Sequence, residues 1–240
     1  MSAPASPVAE RGGQQALAQL KVRLRDGAHA VLSPAVGALG AIGLRADHLT
    51  WAGLAIAVLA GFAFFDGQSR LAALFLALAG LCDILDGELA RREGARSRFG
   101  AFLDSTLDRL GEAAALVGIA AFCVRNLVAL IYQPAEALAQ MSIGLTPPTW
   151  GVLAVTAVLA LVGSFMVSYT RARAEGLGLE CKVGWFERPE RLVLLIVAGA
   201  IKVFWAMSIA LLLLTIFSFV TATQRVAHVH KHTRGSGLDA

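Results

Sequence analysis

The sequence predicts an all-α integral membrane protein, with an N-terminal amphipathic surface helix followed by six transmembrane helices. Three observations predict it. Hydrophobic residues fill 57% of the 240 positions, and the mean hydropathy of +0.66 exceeds what soluble domains usually show. Weakly charged apolar runs recur at 49–65, 71–82, 113–124, 149–168 and 192–220, and about 20 mostly apolar residues span a bilayer as a helix. Charged residues make up only 16% of the chain and are clustered in the segments between those runs.

The elements follow in order. Residues 1–14, "MSAPASPVAERGGQ", are small, polar and Pro-containing, which predicts disorder, and they lack the basic-then-apolar pattern of a cleaved signal peptide. Over 15–42, apolar and basic positions alternate at helical spacing, with Lys21, Arg23 and Arg25 grouped. That pattern predicts a helix lying on the membrane surface, broken near Ser33 and Pro34. The first span is expected at 47–66 with Asp47 as its N-cap, followed by the short turn "DGQS" and a second span at 70–92. The polar link "RREGARSR" leads to a third span at 100–124. A connection over 125–148, with Pro134, Pro147 and Pro148, precedes a fourth span at 149–172.

The last apolar block, 192–220, is too long for one span. Lys202 and Trp205 near its middle suit an interfacial turn, since Trp favours that depth and Lys can snorkel to it. Two short spans are therefore expected, at 187–202 and 205–225. The six spans form one helical unit over 43–226, and 227–240 is a cytoplasmic tail.

Basic residues test this arrangement. Placing the N-terminus in the cytoplasm puts Arg91, Arg92, Arg96 and Arg98 on that side, with Arg171, Arg173, Lys182, Arg188 and Arg191, and then Arg225, Lys231 and Arg234. The opposite side keeps only Arg70, Arg125 and Lys202. This asymmetry obeys the positive-inside rule and predicts a multi-pass protein of the plasma membrane. The formal charge of +4 fits basic faces against anionic headgroups rather than a nucleic-acid partner. Cys82, Cys123 and Cys181 are too few and too scattered for a disulfide framework or a Cys-rich metal site.

The chemistry concentrates in "LCDILDGELARREGARSRFGAFLDSTLDRLG", residues 81–111. Asp83 and Asp86 lie three positions apart, Asp104 and Asp108 four, so each pair shares a helix face. The first pair ends the second span and the second pair begins the third, so the carboxylates of two antiparallel neighbours can converge near the cytoplasmic boundary. Ionisable groups at membrane depth are costly and mark function by default. Four converging carboxylates repel unless some protonate or a cation sits among them. Oxygen ligands without nearby His or Cys point to Mg²⁺ or Mn²⁺, or to Ca²⁺, and two ions would suit a diphosphate substrate. The competing reading pairs the acids with Arg91, Arg92, Arg98 and Arg109 at helix ends. Gly87 and Gly100, which weaken their helices, favour close approach of a ligand or backbone instead.

Asp83-x-x-Asp86-Gly87-x-x-Ala90-Arg91, eight residues, then Gly100-x-x-x-Asp104-x-x-x-Asp108 resembles the CDP-alcohol phosphatidyltransferase signature at every fixed position. The resemblance extends over nearly the whole chain. It implies that Asp83, Asp86 and Asp104, together with Asp108, hold two Mg²⁺ or Mn²⁺ ions on the CDP diphosphate. It implies that Asp108 is the general base for the acceptor hydroxyl, which displaces CMP from the lipid phosphorus. By the same resemblance Gly87, Arg91 and Ser97 contact the nucleotide. Relatives carry Pro-Asn before the first span; here Ala46 and Asp47, with His48 and Leu49, replace that segment and are expected to line the CDP-lipid pocket. The resemblance also implies a homodimer.

The shared motif does not choose the acceptor. Arginines downstream suit bidentate phosphate recognition, which favours a phosphorylated alcohol over serine or choline. Arg171-Ala-Arg-Ala-Glu175, followed by Glu187-Arg-Pro-Glu-Arg191, resembles the corresponding region of the family's phosphatidylinositol-phosphate and archaetidylinositol-phosphate synthases. That resemblance implies that Arg171, Arg191 and Arg225 grip inositol 1-phosphate and that CDP-diacylglycerol is the donor. Glycerol 3-phosphate is the nearest alternative acceptor. A cation transporter is the alternative of another class, but the acids sit near one face rather than in a chain across the bilayer, and no inverted repeat is visible.

Overall fold

The computed structural model describes residues 34, 36–41, 43–92, 97–201 and 203–235, which are helical or short connections without a strand among them. Seven helices follow residue 45. They are α1 (Ala46–Phe65), α2 (Ser69–Arg92), α3 (Arg98–Tyr132), α4 (Pro134–Ser142), α5 (Pro147–Gly176), α6 (Arg188–Ile201) and α7 (Phe204–Gly235). Four of them, α1, α3, α5 and α7, are long and apolar enough to cross a membrane. α2 carries Asp83 and Asp86, and α6 has only 14 residues. The expected surface helix over 15–42 lies mostly outside the described residues, of which 34 and 36–41 are helical.

The helix ends obey local rules with some differences from expectation. Arg45, not Asp47, occupies the N-cap of α1, and His48 Nδ1 accepts the Arg45 backbone N–H at 3.3 Å. Asp47 falls inside the first turn, where its charge favours the helix dipole. Between α1 and α2 the chain reverses within three residues. Gly67 takes φ +77°, open to glycine without strain, and a Cβ there would lie 2.8 Å from the Phe122 ring. α3 runs to Tyr132, beyond the expected 124, and α4 with a proline at its first position fills much of the connection. The long apolar block breaks between Ile201 and Phe204, as the two-helix reading requires.

Packing depends on small residues. α1 packs on α2 and α3, α3 on α5, α5 on α7, α2 on α6, and α6 on α7. At the α1–α3 crossing a Cβ on Gly118 would lie 2.1 Å from Gly61 O, so the two backbones are in direct contact. Ala57 against Gly111 and Gly61 against Ala114 continue the seam, the small-residue packing by which membrane helices approach closely. Leu76, Leu116, Leu195, Leu211 and Leu214 are buried between helices, whereas Phe62, Leu74, Val117, Val152, Leu212 and many others point outward. So much outward-facing apolar surface suits lipid rather than water. The protein is an integral membrane protein.

Candidate active site

The C-terminal half of α2 and the N-terminal turns of α3 bring their carboxylates together. One oxygen each of Asp83, Asp104 and Asp108 lies within 4.8 Å of the others. Asp86, on the same side of α2, is 5% exposed and accepts a 2.8 Å hydrogen bond from Thr50 Oγ1 of α1. Asp104 Oδ1 is buried without a hydrogen-bond partner among the described residues. Three converging carboxylates, one of them with a buried oxygen lacking a hydrogen-bond partner among the described residues, are the donor set a hard divalent cation takes. The residues present therefore fit the ions that the sequence pattern calls for.

A cavity adjoins the cluster, lined by Leu49, Thr50, Asp83, Asp86, Asp108, Glu112 and Arg188 among others. Arg188 opens α6, and its Nη1 lies 2.6 Å from Asp108 Oδ2 and 3.1 Å from Asp83 Oδ2. The sequence places Arg188 among the cytoplasmic-side basic residues that suit phosphate recognition, but not among the expected partners of the aspartates. Arg109, adjacent to Asp108, instead donates to its own helix at Ser105 O.

The residues expected to contact the nucleotide lie at the start of α1, on the last turns of α2 and at the start of α3. Ser97 caps α3, its Oγ accepting the Gly100 N–H at 2.8 Å. A Cβ on Gly100 would approach Ser97 Oγ at 3.0 Å and Asp47 Oδ1 at 3.7 Å, so the start of α1 reaches the start of α3. Arg91 lies along Gly87, where an added Cβ would come within 3.7 Å of its Nη1, and pairs with Glu88 at 2.6 Å. Ala46 contributes its carbonyl to Thr50 Oγ1 at 3.1 Å, and Leu49 lines the cavity. His48 is tied to the Arg45 backbone.

The three arginines expected to grip the acceptor phosphate come together on α5, α6 and α7 but are not equivalent. Arg191 is 1% exposed and grips Glu112 through Nε at 2.6 Å and Nη2 at 2.9 Å. Arg225 is 2% exposed and donates to Val183 O, Val167 O and Glu187 Oε1. Arg171 is more open, bonded to Glu175 at 2.9 Å and 3.7 Å from the same Glu187 oxygen. The loop before α6 is held against α7 by Phe186 N–H on Thr221 Oγ1. Gly184, with φ +120°, brings the backbone so near that a Cβ would lie 2.5 Å from Thr221 Cγ2. Sequence reasoning missed Thr50, Glu112 and Arg188. The spacing of Glu112, four after Asp108 on the same face, was the one available signal.

Residues 44–223 match the family described as CDP-alcohol phosphatidyltransferase. The chain belongs to this family. It is 37% identical over 192 residues to the archaetidylinositol phosphate synthase of Methanothermobacter thermautotrophicus, covering 78% of this chain and 84% of that one. It is 35% identical over 191 residues to the phosphatidylinositol phosphate synthase of Mycolicibacterium smegmatis, covering 77% of each. Among solved structures it is similar to the Mycobacterium tuberculosis phosphatidylinositol phosphate synthase with CDP-DAG bound. That match has a TM-score of 0.68 and 29% identity, over 83% of this chain and 94% of that one. The same enzyme in complex with manganese and citrate matches with a TM-score of 0.67 and 29% identity, over 82% of this chain and 87% of that one. Membership makes the chain an enzyme of phospholipid synthesis, and the aspartate cluster lies within the matched residues.

Proposed function

We propose that the protein transfers the phosphatidyl group of CDP-diacylglycerol to inositol 1-phosphate, giving phosphatidylinositol phosphate and CMP. The observation that carries the reading is the convergence of Asp83, Asp104 and Asp108 within 4.8 Å, with a buried Asp104 oxygen lacking a partner among the described residues. The acceptor is supported by the arginine group on α5–α7 and by the relatives named for inositol phosphate products.

Asp83, Asp86, Asp104 and Asp108 would hold two Mg²⁺ or Mn²⁺ ions, which when bound neutralise charge on the diphosphate and on the departing CMP. Thr50 fixes the rotamer of Asp86. Asp108 takes the proton from the acceptor hydroxyl, and its position beside the cavity puts that transfer at the protein interior rather than in bulk water. Ala46, Asp47, His48, Leu49, Gly87, Arg91 and Ser97 border the nucleotide, with the start of α3 as its floor. Arg171 and Arg225 offer N–H donors to the acceptor phosphate, and Arg191 offers those not already bound to Glu112. Six spans and an active site on the cytoplasmic face of the plasma membrane complete the reading, supported by the alternation of basic connections, and family resemblance implies a homodimer.

The test uses purified protein, labelled CDP-diacylglycerol and Mg²⁺, with inositol 1-phosphate, glycerol 3-phosphate, inositol and serine supplied in parallel. CMP release is expected with inositol 1-phosphate. Turnover with free inositol but not its phosphate would overturn the basic-pocket argument, and turnover with glycerol 3-phosphate alone would reassign the acceptor.

A further inference from the structure

Arg188 is the one feature of the acid cluster that neither the signature nor the proposed chemistry uses. Its Nη1 sits against Asp83 Oδ2 at 3.1 Å and Asp108 Oδ2 at 2.6 Å, oxygens of two of the three carboxylates that converge. A single guanidinium nitrogen carries two N–H donors, enough to serve both carboxylates at once. An ion held by Asp83 and Asp108 would draw on the same two carboxylates. A divalent charge and a guanidinium within about 4 Å of one another repel strongly in a partly buried site. The two cations are thus alternatives for one position.

We propose that Arg188 is a built-in counter-ion that competes with the divalent ions for Asp83 and Asp108 and sets their affinity. The inference rests on the proposed metal-holding role of these aspartates. It is carried by the contrast with Arg191, three residues on along the same helix. Arg191 is 1% exposed and bound through two nitrogens to Glu112, a carboxylate outside the aspartate set. The Arg188 side chain keeps 31% of its surface exposed and begins α6 directly after a loop. One arginine is fixed in the bundle; the other is placed where it can leave. In the absence of divalent ions Arg188 relieves the repulsion among the aspartates, and as ions bind it gives up both oxygens. The consequence is a site held together without metal, at the expense of weaker metal binding.

Mn²⁺ binding to the purified full-length chain, read by electron paramagnetic resonance of the free ion, tests this without any turnover. Arg188→Gln is expected to bind Mn²⁺ about tenfold more tightly than the native chain, within the about 5- to 150-fold range of ordinary coupling between sites. Arg125→Gln, at the other end of α3 and paired with Asp66, is the control and should leave the affinity unchanged. Equal affinity in the Arg188→Gln and native chains, or weaker binding in the variant, would overturn the counter-ion. So would the same tightening in Arg125→Gln, which would reduce the effect to general charge. Mn²⁺ bound by none of the chains would instead overturn the metal reading beneath it. A second measurement needs no variant. Glyoxal modification of the native chain, read by peptide mass spectrometry, should rise at Arg188 when Mn²⁺ is added, and an unchanged or reduced rate there overturns the proposal.

Discussion

The aspartates of α2 and α3 and the arginines of α5, α6 and α7 lie at the same end of the helix bundle, yet their charges are balanced differently. The arginines have carboxylate partners: Arg191 has Glu112, Arg225 has Glu187, and Arg171 has Glu175 and Glu187. The aspartates converge on one another, with Arg188 reaching two of them and an oxygen of Asp104 left without a partner. A region of paired charges is a scaffold that can rebalance when an anion arrives. A region of gathered like charge stores a demand for cations, and that demand is what a metal-dependent phosphoryl transfer requires. The two regions touch through α6, which sends Arg188 to the acids and Arg191 to Glu112.

The largest expected effect breaks the acid side. Asp108→Asn keeps the shape of the residue and removes its capacity to accept a proton. Transfer should fall about 10³-fold, within the range of general-base contributions, while CDP-lipid binding persists. Retained turnover would rule out Asp108 as the base.

On the basic side the corresponding break is Glu112→Gln. Arg191 would keep a hydrogen-bonding neighbour but lose the charge that balances it at 1% exposure. Removing one member of a buried pair costs about 3 kcal/mol, so thermal unfolding in detergent should shift down by several degrees. An unchanged midpoint would show that Arg191 is neutralised by something other than Glu112. The complementary change, Arg191→Gln, should raise the KM for the phosphorylated acceptor about tenfold, or about 1.4 kcal/mol, and leave that of the lipid almost unaltered. Equal increases in both would place Arg191 in the scaffold rather than at the acceptor.

The same contrast explains what was legible in the sequence. The acid side is local: Asp83 and Asp86 on one helix and Asp104 and Asp108 on the next, joined by a short link, so helical periodicity alone forecasts their convergence. Helix positions were legible for a related reason, since apolar length and Pro or Gly punctuation act over a few residues. The basic side depends on contacts across 79 positions for Arg191 with Glu112 and 105 for Arg188 with Asp83. No periodicity reports such pairs. Asp47 was expected to cap α1, but the residue that leaves helical geometry is Arg45, and propensity resolves such ends only to within a residue or two. No sequence pattern marks Gly61, Gly111 and Gly118 as a seam; the crossing of α1 and α3 alone gives them that meaning.

The smallest expected effect concerns Thr50, which ties the acid side to α1. Its hydroxyl has one proton and two acceptors in reach, Asp86 Oδ2 at 2.8 Å and Ala46 O at 3.1 Å. The carboxylate is nearer and carries charge, so the proton belongs there, while Ala46 O retains its place as a helix carbonyl. Thr50→Val preserves volume and branching and removes the donor alone. A hydrogen bond to a charged group contributes about 1.5–3 kcal/mol, but part of that returns if bound cations satisfy the same oxygen. The net expectation is a few-fold weaker Mn²⁺ binding, with Thr50→Ser close to the native chain because it restores the hydroxyl. If Thr50→Val bound Mn²⁺ as tightly as the native chain, Asp86 would be positioned by its own helix, and the acid side would need nothing from α1.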